Sequence, residues 1–445
     1  MSNTSSLARP IPVPAGRVSR LARMGGFATQ VAGAVAFNGA RGLVKGERPD
    51  LRSLMLTPAN VQRLTHQLAQ MRGAAMKLGQ LLSMDTGDVL PTELTEILSR
   101  LRADAHFMPP KQLQQVLIAN WGADWRRGFR RFDVRPIAAA SIGQVHRAEL
   151  KDGRQVAVKV QYPGVARSID SDVANLGALL RASRLLPRGF DVTPYLAEAK
   201  RQLREETDYL REGDRLSAFG QRLRTARQFH VPAYHADWST GQILTMSFAA
   251  GQPIETLEAA SQTTRDRVAG WLVELALQEL FSFGEIQSDP NFANYLYDAE
   301  ADRVVLLDFG AARHVSPPVI ETYRALLGAG LHGDRAAMIT AAERIGFLAP
   351  DLAGAHRVRI ERMLDMGFGS LRAGEIYDFA DTALSDRMQA ESMALIEDGY
   401  LPPPLPMDVL YLQRKLGGLI LLATRMRARV PLAAMIAPYV TATAP

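Results

Sequence analysis

The stretch Gln287–Gly310, QSDPNFANYLYDAEADRVVLLDFG, decides how this chain folds. Its four consecutive apolar residues from Val304 to Leu307 predict a short buried strand, and that strand ends at Asp308. Asn294 precedes Asp308 by fourteen residues, which is enough chain for one tight hairpin. The stretch therefore predicts a β-hairpin that brings an amide oxygen and a carboxylate to the same end.

Asp289, five residues before Asn294, indicates what these groups could do. Phosphoryl transfer needs a carboxylate near the acceptor, Asp and Asn side chains on magnesium, and a lysine on the phosphates. The spacing D-x-x-x-x-N from Asp289 to Asn294 matches this pattern. Further upstream, Val156–Lys159 reads V-A-V-K and follows the turn sequence K-D-G-R at 151–154, which predicts a second hairpin. Each pattern alone is common, but the three together, in this order, predict a kinase-type ATP site.

Two features of ordinary protein kinases are missing from the sequence. Residues 138–146 read AAASIGQVH where a glycine-rich loop would precede Lys159. The methyl groups of the three alanines limit how closely the backbone can approach phosphates, because only glycine lacks a Cβ atom. No A-P-E motif follows Asp308, and few residues separate Gly310 from the next predicted helix near Pro318. Both absences disfavour an enzyme that docks and phosphorylates protein substrates.

The remaining patterns predict an α+β fold. A helix that starts at Thr57-Pro58 and a second helix at 91–103 come first. Further strands and helices are predicted at 129–134, 143–150, 155–161 and 242–247 (strands) and at Thr193–Phe219 and 263–284 (helices). This order of helices, a small antiparallel sheet with one long charged helix, short strands and more helices is typical of two lobes.

Composition limits the chemistry and indicates one class of partner. The chain has 445 residues and no cysteine, which excludes disulfides, thiolate metal sites and cysteine nucleophiles. Its formal net charge is +6, and residues 1–52 hold eight cationic against two acidic residues. Such a leader suits an anionic membrane surface or is a solvated arm, and the sequence leaves both readings open.

No apolar run is long enough to span a bilayer, the best candidate being Met24 to Val44. No aromatic-interleaved basic motif indicates nucleic acid.

Four motifs carry a resemblance to a known family. They are K-L-G-Q at Lys77–Gln80, the alanine-rich loop at 138–146, E-T-D at Glu206–Asp208 and Q-S-D-P-N-F-A-N at Gln287–Asn294. In these motifs the sequence resembles the UbiB (aarF-domain-containing) protein-kinase-like family over about residues 55–420. The form of the last motif, together with Q-Y-P-G-V at Gln161–Val165, resembles the coenzyme Q branch of that family.

The resemblance implies roles for the residues of the ATP site. Lys159 should pair with Glu212 and hold the α- and β-phosphates, Asn294 and Asp308 should hold Mg²⁺, and Asp289 should be the catalytic carboxylate. The loop residues Ala138, Ala139, Ala140 and Ser141 should cover the nucleotide. Met246 and Phe248 should contact adenine, largely through the backbone, although Ser247 between them stands where many relatives have Glu.

The resemblance also implies a contact made by the K-x-G-Q helix. Lys77 and Gln80 should fold over the cleft and meet Glu206 and Asp208. Lys77 lies on an otherwise apolar stripe, and burying a lysine is costly unless the lysine is paired. The competing interpretation is that Lys77 extends its ammonium group to solvent and that both acids are solvated.

The implied fold is an α+β, two-lobed protein-kinase-like fold with an N-terminal helical K-x-G-Q extension. It divides the chain into a basic, partly disordered leader at 1–54 with a potential membrane-contacting helix, the helical extension at 55–128, an N-lobe at 129–250 and a C-lobe at 251–445. The implied cofactors are ATP (or ADP) and Mg²⁺.

The implied function is an ATPase or small-molecule kinase that supports ubiquinone biosynthesis. The implied partners are an anionic membrane surface, a lipid-like quinone precursor and other quinone-biosynthesis enzymes, with no nucleic acid. In a bacterium the protein would be cytoplasmic and peripheral on the inner membrane. The alternatives are a catalytically weak, nucleotide-dependent scaffold and a protein kinase. An antibiotic phosphotransferase is disfavoured by the K-x-G-Q helices.

Overall fold

A computed structural model describes residues 72–85, 107–183, 191–349, 351–352, 354–400 and 405–441. The chain divides into two compact units. The first comprises the described part of Met1–Phe219 together with Pro232–Ala249, and the second comprises Gly220–Val231 together with the described part of Ala250–Pro445. The predictions for the leader, for the helix start at Thr57-Pro58 and for the helix at 91–103 lie outside the described residues.

The described residues form strands and α-helices that we number in chain order. The strands are β1 (Phe129–Phe132), β2 (Ala138–Ala139), β3 (Gly143–Leu150), β4 (Gln155–Gln161), β5 (Phe229–His230), β6 (Ile243–Ser247), β7 (Gln252–Pro253), β8 (Glu285–Gln287), β9 (Tyr295–Asp298), β10 (Arg303–Leu306), β11 (Ala312–His314), β12 (Tyr377–Asp378) and β13 (Arg429–Val430). The helices are α1 (Arg72–Asp85), α2 (Pro110–Trp121), α3 (Val165–Ser183), α4 (Thr193–Glu206), α5 (Tyr209–Arg222), α6 (Gln262–Phe281), α7 (Pro317–His332), α8 (Arg335–Ile345), α9 (Gly354–Arg372), α10 (Ala383–Glu397), α11 (Met407–Arg425) and α12 (Leu432–Thr441).

An antiparallel sheet forms the centre of the first unit, in the order β1-β3-β4-β6, and β2 also pairs with β3. The predicted hairpin between β3 and β4 is confirmed. Its turn uses Asp152, whose carboxylate accepts the N–H of Arg154 at 3.0 Å, and Gly153, whose φ of +93° is readily available only to glycine. Valines 156, 158 and 160 on β4 are fully buried, so this strand lies in the core of the unit.

The single long helix predicted at Thr193–Phe219 is wrong, because the chain forms α4 and α5 with a break at Thr207-Asp208. Glu206 and Glu212, which both fall inside the predicted helix, therefore lie on different helices. The Thr207 hydroxyl donates to the Arg204 carbonyl at 2.8 Å, and Asp208 Oδ1 accepts the N–H of Arg211 at 3.1 Å. Short polar side chains of this kind compete for backbone groups, so they end one helix and cap the next.

The second unit contains the predicted hairpin. Strands β9 and β10 pair antiparallel, with Tyr295 opposite Leu306 and Asp298 opposite Arg303, which confirms the hairpin read from the sequence. Strand β5 adds to β10 in parallel, β7 adds to β9, and β8 pairs with β11 in a separate ladder. Helix α6 begins at a Ser261 cap that accepts the N–H of Thr264. No helix in the described ranges combines the length and the apolar character needed to cross a bilayer.

A buried polar chain anchors strand β3 in the first unit. The backbone N–H of Met108 donates to Gln144 Oε1 at 2.8 Å, and Gln144 Nε2 lies 2.9 Å from His146 Nε2. His146 Nδ1 lies 2.8 Å from the carbonyl oxygen of Asp133, which can only accept. The ring must therefore be neutral, with its proton on Nδ1 and with Nε2 accepting from Gln144. Burial lowers the pKa of His146 to about 4, although Asp133 acts to raise it.

We expect this histidine to make stability depend on pH below 6.5. The unfolded chain binds a proton there with an ordinary pKa of 6.5 and the folded chain does not, so acid favours unfolding. The free energy of unfolding should fall by up to about 3 kcal/mol as the pH drops from 6.5 to 4, and then level off. The variant His146→Gln keeps a donor and an acceptor but cannot titrate. Its free energy of unfolding should therefore fall by about 3 kcal/mol less than that of the wild type over the same pH range. Urea unfolding followed by tryptophan fluorescence measures the difference, and identical pH dependence in both proteins would contradict it.

Candidate active site

Strand β4 and helix α5 place the two residues that the resemblance pairs in direct contact. Lys159 Nζ lies 2.7 Å from Glu212 Oε1 and 3.0 Å from Glu212 Oε2. The exposed fraction of Lys159 is 8% and that of Glu212 is 3%. The ammonium group also lies 5.2 Å from the centre of the Tyr209 ring, one turn earlier on α5. A bidentate contact between buried groups holds this lysine in a fixed orientation.

The alanine-rich loop is a tight hairpin rather than an open flap. Ala138 and Ala139 form β2 and pair with Val145 and Gln144, and the N–H of Ala140 donates to the carbonyl of Gly143 at 2.8 Å. A Cβ atom on Gly143 would lie 2.5 Å from the backbone oxygen of Val160 on the neighbouring strand, so only glycine fits there. The methyl groups of the first two alanines are solvent-exposed.

Glu206 connects three segments of the first unit. Its Oε2 accepts the hydroxyl of Ser141 at 3.0 Å, and its Oε1 forms a salt bridge with Lys77 of α1. Lys77 is 5% exposed. The interpretation that Lys77 extends to solvent is therefore wrong, because this lysine is buried and has a carboxylate as its partner. The tip of the alanine-rich loop, the E-T-D motif and the K-x-G-Q helix thus meet at one carboxylate.

The other two residues of these motifs lie elsewhere or are not described at side-chain level. Asp208 caps α5 through Arg211, and no contact between Asp208 and Lys77 exists among the described residues. Asp208 directly precedes the first residue of α5, so its carboxylate is engaged in capping that helix. The backbone of Gln80 lies in α1, while its side chain lies outside the described atoms.

The segment expected to contact adenine comprises the end of β6 and the residue that follows it. Met246 is buried and pairs with Ala157, while the backbone N–H of Phe248 donates to the carbonyl of Gln155 at 2.8 Å. The guanidinium of Arg147 lies 4.3 Å from the centre of the Phe248 ring. Because its N–H is already used within the sheet, Phe248 can offer a ligand its carbonyl or its ring but not its amide.

In the second unit, Gln287 joins the two acidic segments of the opening stretch. The N–H of Asp289 donates to Gln287 Oε1 at 3.0 Å, and Gln287 Nε2 donates to the carbonyl of Asp308 at 3.2 Å. The N–H of Leu307 donates to the carbonyl of Asn294 at 3.0 Å. Because these bonds run between the segments, Asp289, Asn294 and Asp308 are positioned as one group at the end of the β9-β10 hairpin.

This group offers the oxygen donors that a magnesium ion prefers. Asn294 Nδ2 donates to Asp289 Oδ2 at 3.2 Å, so the opposite, oxygen end of its amide is the one that can bind a cation. Asp308 Oδ1 accepts the N–H of Gly310 at 2.8 Å, which orients the carboxylate. Carboxylate and amide oxygens are hard ligands suited to Mg²⁺, so these residues fit the ion that the resemblance implies.

Sequence reasoning missed two residues of α11 that support this group. Arg414 Nη2 lies 2.6 Å from Asp289 Oδ1, so the expected catalytic carboxylate carries a fixed cationic partner. The neighbouring Lys415 is buried and lies 2.9 Å from Glu279 on α6. Burial alone would lower the pKa of Lys415, but Glu279 and Tyr295 outweigh it and raise that pKa. These cations lie more than 100 residues from Asp289 and Glu279 in sequence, and no local motif marks them.

Comparison with known proteins defines the class and then the family. The family model for the ABC1 atypical kinase-like domain matches residues 100–342, more than half of the chain. The mitochondrial atypical kinase COQ8 of Saccharomyces cerevisiae is 39% identical over 425 residues, covering 94% of this chain and 83% of the relative. The mitochondrial atypical kinase COQ8B of Rattus norvegicus is 37% identical over 432 residues, covering 96% of this chain and 81% of the relative.

A solved structure gives the same fold. The complex of Rv3197 with erythromycin from Mycobacterium tuberculosis covers 85% of this chain and 94% of that chain, with a TM-score of 0.61 and 24% identity. The predicted α+β protein-kinase-like fold is confirmed. The chain belongs to the ABC1 atypical kinase-like family, which is the UbiB family of the sequence motifs, and its COQ8 relatives confirm the coenzyme Q branch.

We expect Lys77 and Glu206 to form a buried ion pair. Removing one of the two charges should therefore destabilise the protein more than removing both. Glu206→Leu should lower the free energy of unfolding by about 3–5 kcal/mol, because it leaves a buried ammonium group without a counter-charge. The double variant Lys77→Met/Glu206→Leu should recover most of that loss, since it removes both charges and keeps apolar volume. Urea unfolding monitored by circular dichroism measures both values.

The matched control is Asp170→Ala on α3, where the carboxylate pairs with Lys200 and Arg204 at the surface. This change should cost no more than about 1 kcal/mol. If Glu206→Leu costs as little as the control, or if the double variant is as unstable as the single one, Lys77 does not depend on Glu206.

Proposed function

We propose that this chain binds ATP with Mg²⁺ and acts as an ATPase or small-molecule kinase in ubiquinone biosynthesis. One observation supports the proposal: in each unit, residues of the types that phosphoryl transfer needs are held in place by hydrogen bonds. The first unit contributes the pair Lys159–Glu212, and the second contributes Asp289, Asn294 and Asp308. ATP and ADP are both compatible with these groups.

On the first unit, Lys159 would hold the α- and β-phosphates while Glu212 keeps its ammonium group in position. The loop Ala138–Ser141 would cover the phosphates. Its methyl groups and its attachment to Glu206 through Ser141 would keep the backbone further away than glycines allow. Met246 and Phe248 would contact adenine, with the Phe248 carbonyl rather than its amide facing the base. Lys77 and Gln80 would then face the nucleotide from α1, with Glu206 beside Lys77.

On the second unit, Asn294 and Asp308 would be the magnesium ligands. A bound Mg²⁺ supplies charge neutralisation for the phosphates and orients them. Asp289 would accept a hydrogen bond from the attacking hydroxyl and orient it toward the γ-phosphorus, with ADP leaving. Arg414 holds one oxygen of this carboxylate at 2.6 Å, so the position of Asp289 does not depend on substrate. The acceptor would be water or the hydroxyl of a lipid-like phenolic quinone precursor.

A protein kinase is the less favoured function. Only six residues separate Gly310 from the start of α7 at Pro317, and three of them form β11. This segment is too short for the long, peptide-docking activation segment of protein kinases. A catalytically weak, nucleotide-dependent scaffold for other quinone-biosynthesis enzymes is disfavoured because all five polar groups of the machinery are present and hydrogen-bonded.

We also propose that the protein works at a membrane surface. A quinone precursor is lipid-soluble, and the eight cationic residues of 1–52 would each contribute roughly 1 kcal/mol near an anionic leaflet. The protein would then be peripheral, on the inner membrane in a bacterium. Its relatives named above are mitochondrial proteins.

We expect Asp308→Asn to abolish magnesium-dependent nucleotide binding, with a loss of affinity of about 100-fold or more. Of the two proposed magnesium ligands, Asn294 and Asp308, only Asp308 is charged, and this variant removes that charge. Calorimetric titration with ATP, with and without Mg²⁺, measures the effect. Asp386→Asn is the matched control, since Asp386 is an exposed residue of α10 in the same unit. The variant and the control should unfold at the same temperature. Equal MgATP affinity in Asp308→Asn and Asp386→Asn would remove Asp308 from the site.

A further inference from the structure

A groove on the first unit lies outside the proposed ATP site. It runs between α2 and β1 and encloses a volume of about 350 Å³. Its floor is apolar and is formed by Leu113, Leu117, Trp125, Phe129 and Phe132, and Val134 lies at its mouth. We call it the α2 groove.

The floor of the α2 groove is preformed. Trp125 packs edge-on against Phe129 and Phe132, with ring centres 5.7 and 5.1 Å apart, and the two phenylalanine rings lie 5.5 Å from each other. Leu117 is 1% exposed, whereas Val134 at the mouth of the groove is 44% exposed. A ligand would therefore meet a rigid apolar surface and would not need to reorganise it.

The rim of the groove is cationic. Four cationic residues line it, namely Lys111, Arg126, Arg130 and Arg131. Two of the arginines have acidic partners at the surface, namely Arg130 with Glu149 and Arg131 with Asp133.

Two cations of the rim differ from these. Lys111 and Arg126 line the groove and are exposed, and neither has an acidic partner in the part of the chain that the structure describes. The guanidinium of Arg126 lies 5.1 Å from the centre of the Trp125 ring, at the edge of the floor. Two cations without counter-charges beside an apolar floor are complementary to an anionic group attached to an apolar one.

Protection of a sheet edge does not explain these two cations. Strand β1 is short, ends the sheet order and carries Arg130 and Arg131, which is a common way to prevent edge-to-edge pairing. Lys111 lies on α2 and Arg126 in the turn before β1, so neither belongs to that edge. Their placement beside the floor therefore calls for a different explanation.

We propose that the α2 groove docks an acidic, amphipathic segment of a partner protein. One large apolar side chain of that segment would enter the floor, and flanking carboxylates would face Lys111 and Arg126. A concave groove of about 350 Å³ suits one or two side chains, whereas binding to a bilayer uses apolar groups that protrude. The basic leader at 1–52 has the wrong charge for this rim. This proposal does not depend on nucleotide binding.

The test uses the full chain and a fluorescein-labelled peptide in which glutamates flank a single phenylalanine. Fluorescence anisotropy should show saturable binding that weakens with salt. Lys111→Glu/Arg126→Glu should weaken binding by at least about tenfold, and so should Val134→Asp or replacement of the phenylalanine in the peptide by serine.

The control Arg224→Glu/Arg227→Glu makes the same change in net charge at exposed arginines of the second unit and should change affinity by no more than about twofold. An equal loss in both double variants would mean general charge attraction and would overturn the proposal. So would the absence of peptide binding to the wild type. Binding of phosphatidylglycerol vesicles that requires Lys111 and Arg126, without peptide binding, would replace the partner segment by a membrane and would also overturn it.

Discussion

The buried ion pair between Lys159 and Glu212 is the constraint on which the first unit depends. Burying a lysine on the central strand of a sheet is costly unless a partner balances its charge, and α5 supplies the carboxylate that does so. Helix α5 also carries Tyr209. Strand β3 passes so close to this residue that a Cβ atom on Gly143 would lie 2.9 Å from the Tyr209 hydroxyl. The positions of β4, α5 and the loop before β3 thus follow from one requirement, that a carboxylate hold the buried ammonium group of Lys159. A lysine that binds phosphates has the same requirement.

A second carboxylate, Glu206, extends this arrangement to the parts that ordinary protein kinases lack. It holds the tip of the alanine-rich loop through Ser141 and the K-x-G-Q helix through Lys77. The break at Thr207-Asp208 separates the helix that carries Glu206 from the helix that carries Glu212, so the two acids can serve different lysines. In the second unit the corresponding organiser is Gln287, a neutral side chain that both accepts from Asp289 and donates to Asp308.

The features predicted correctly from sequence are those set by neighbours along the chain. Both hairpins followed from an Asp-Gly turn or from an apolar strand next to acidic loops. The family followed from four short motifs, at Lys77–Gln80, 138–146, Glu206–Asp208 and Gln287–Asn294. The helix break was missed because the charged pattern continues through Thr207, and only its side-chain bonds show that the backbone leaves the helix there. Arg414 was missed because its partner lies 125 residues away. Residues Gly220–Val231 belong to the second unit because β5 pairs in parallel with β10. This pairing leaves no pattern in the sequence, so the sequence did not predict it.

The central claim is that Lys159 belongs to a MgATP site, and chemical labelling tests it most directly. An acyl-phosphate derivative of ATP transfers its acyl group to a lysine amine that lies beside the bound phosphates, and mass spectrometry identifies the modified residue. We predict that Lys159 is labelled and that excess MgATP prevents the labelling, while ATP with a magnesium chelator prevents it much less. Labelling of other lysines alone, or labelling of Lys159 that excess MgATP leaves unchanged, would contradict the claim.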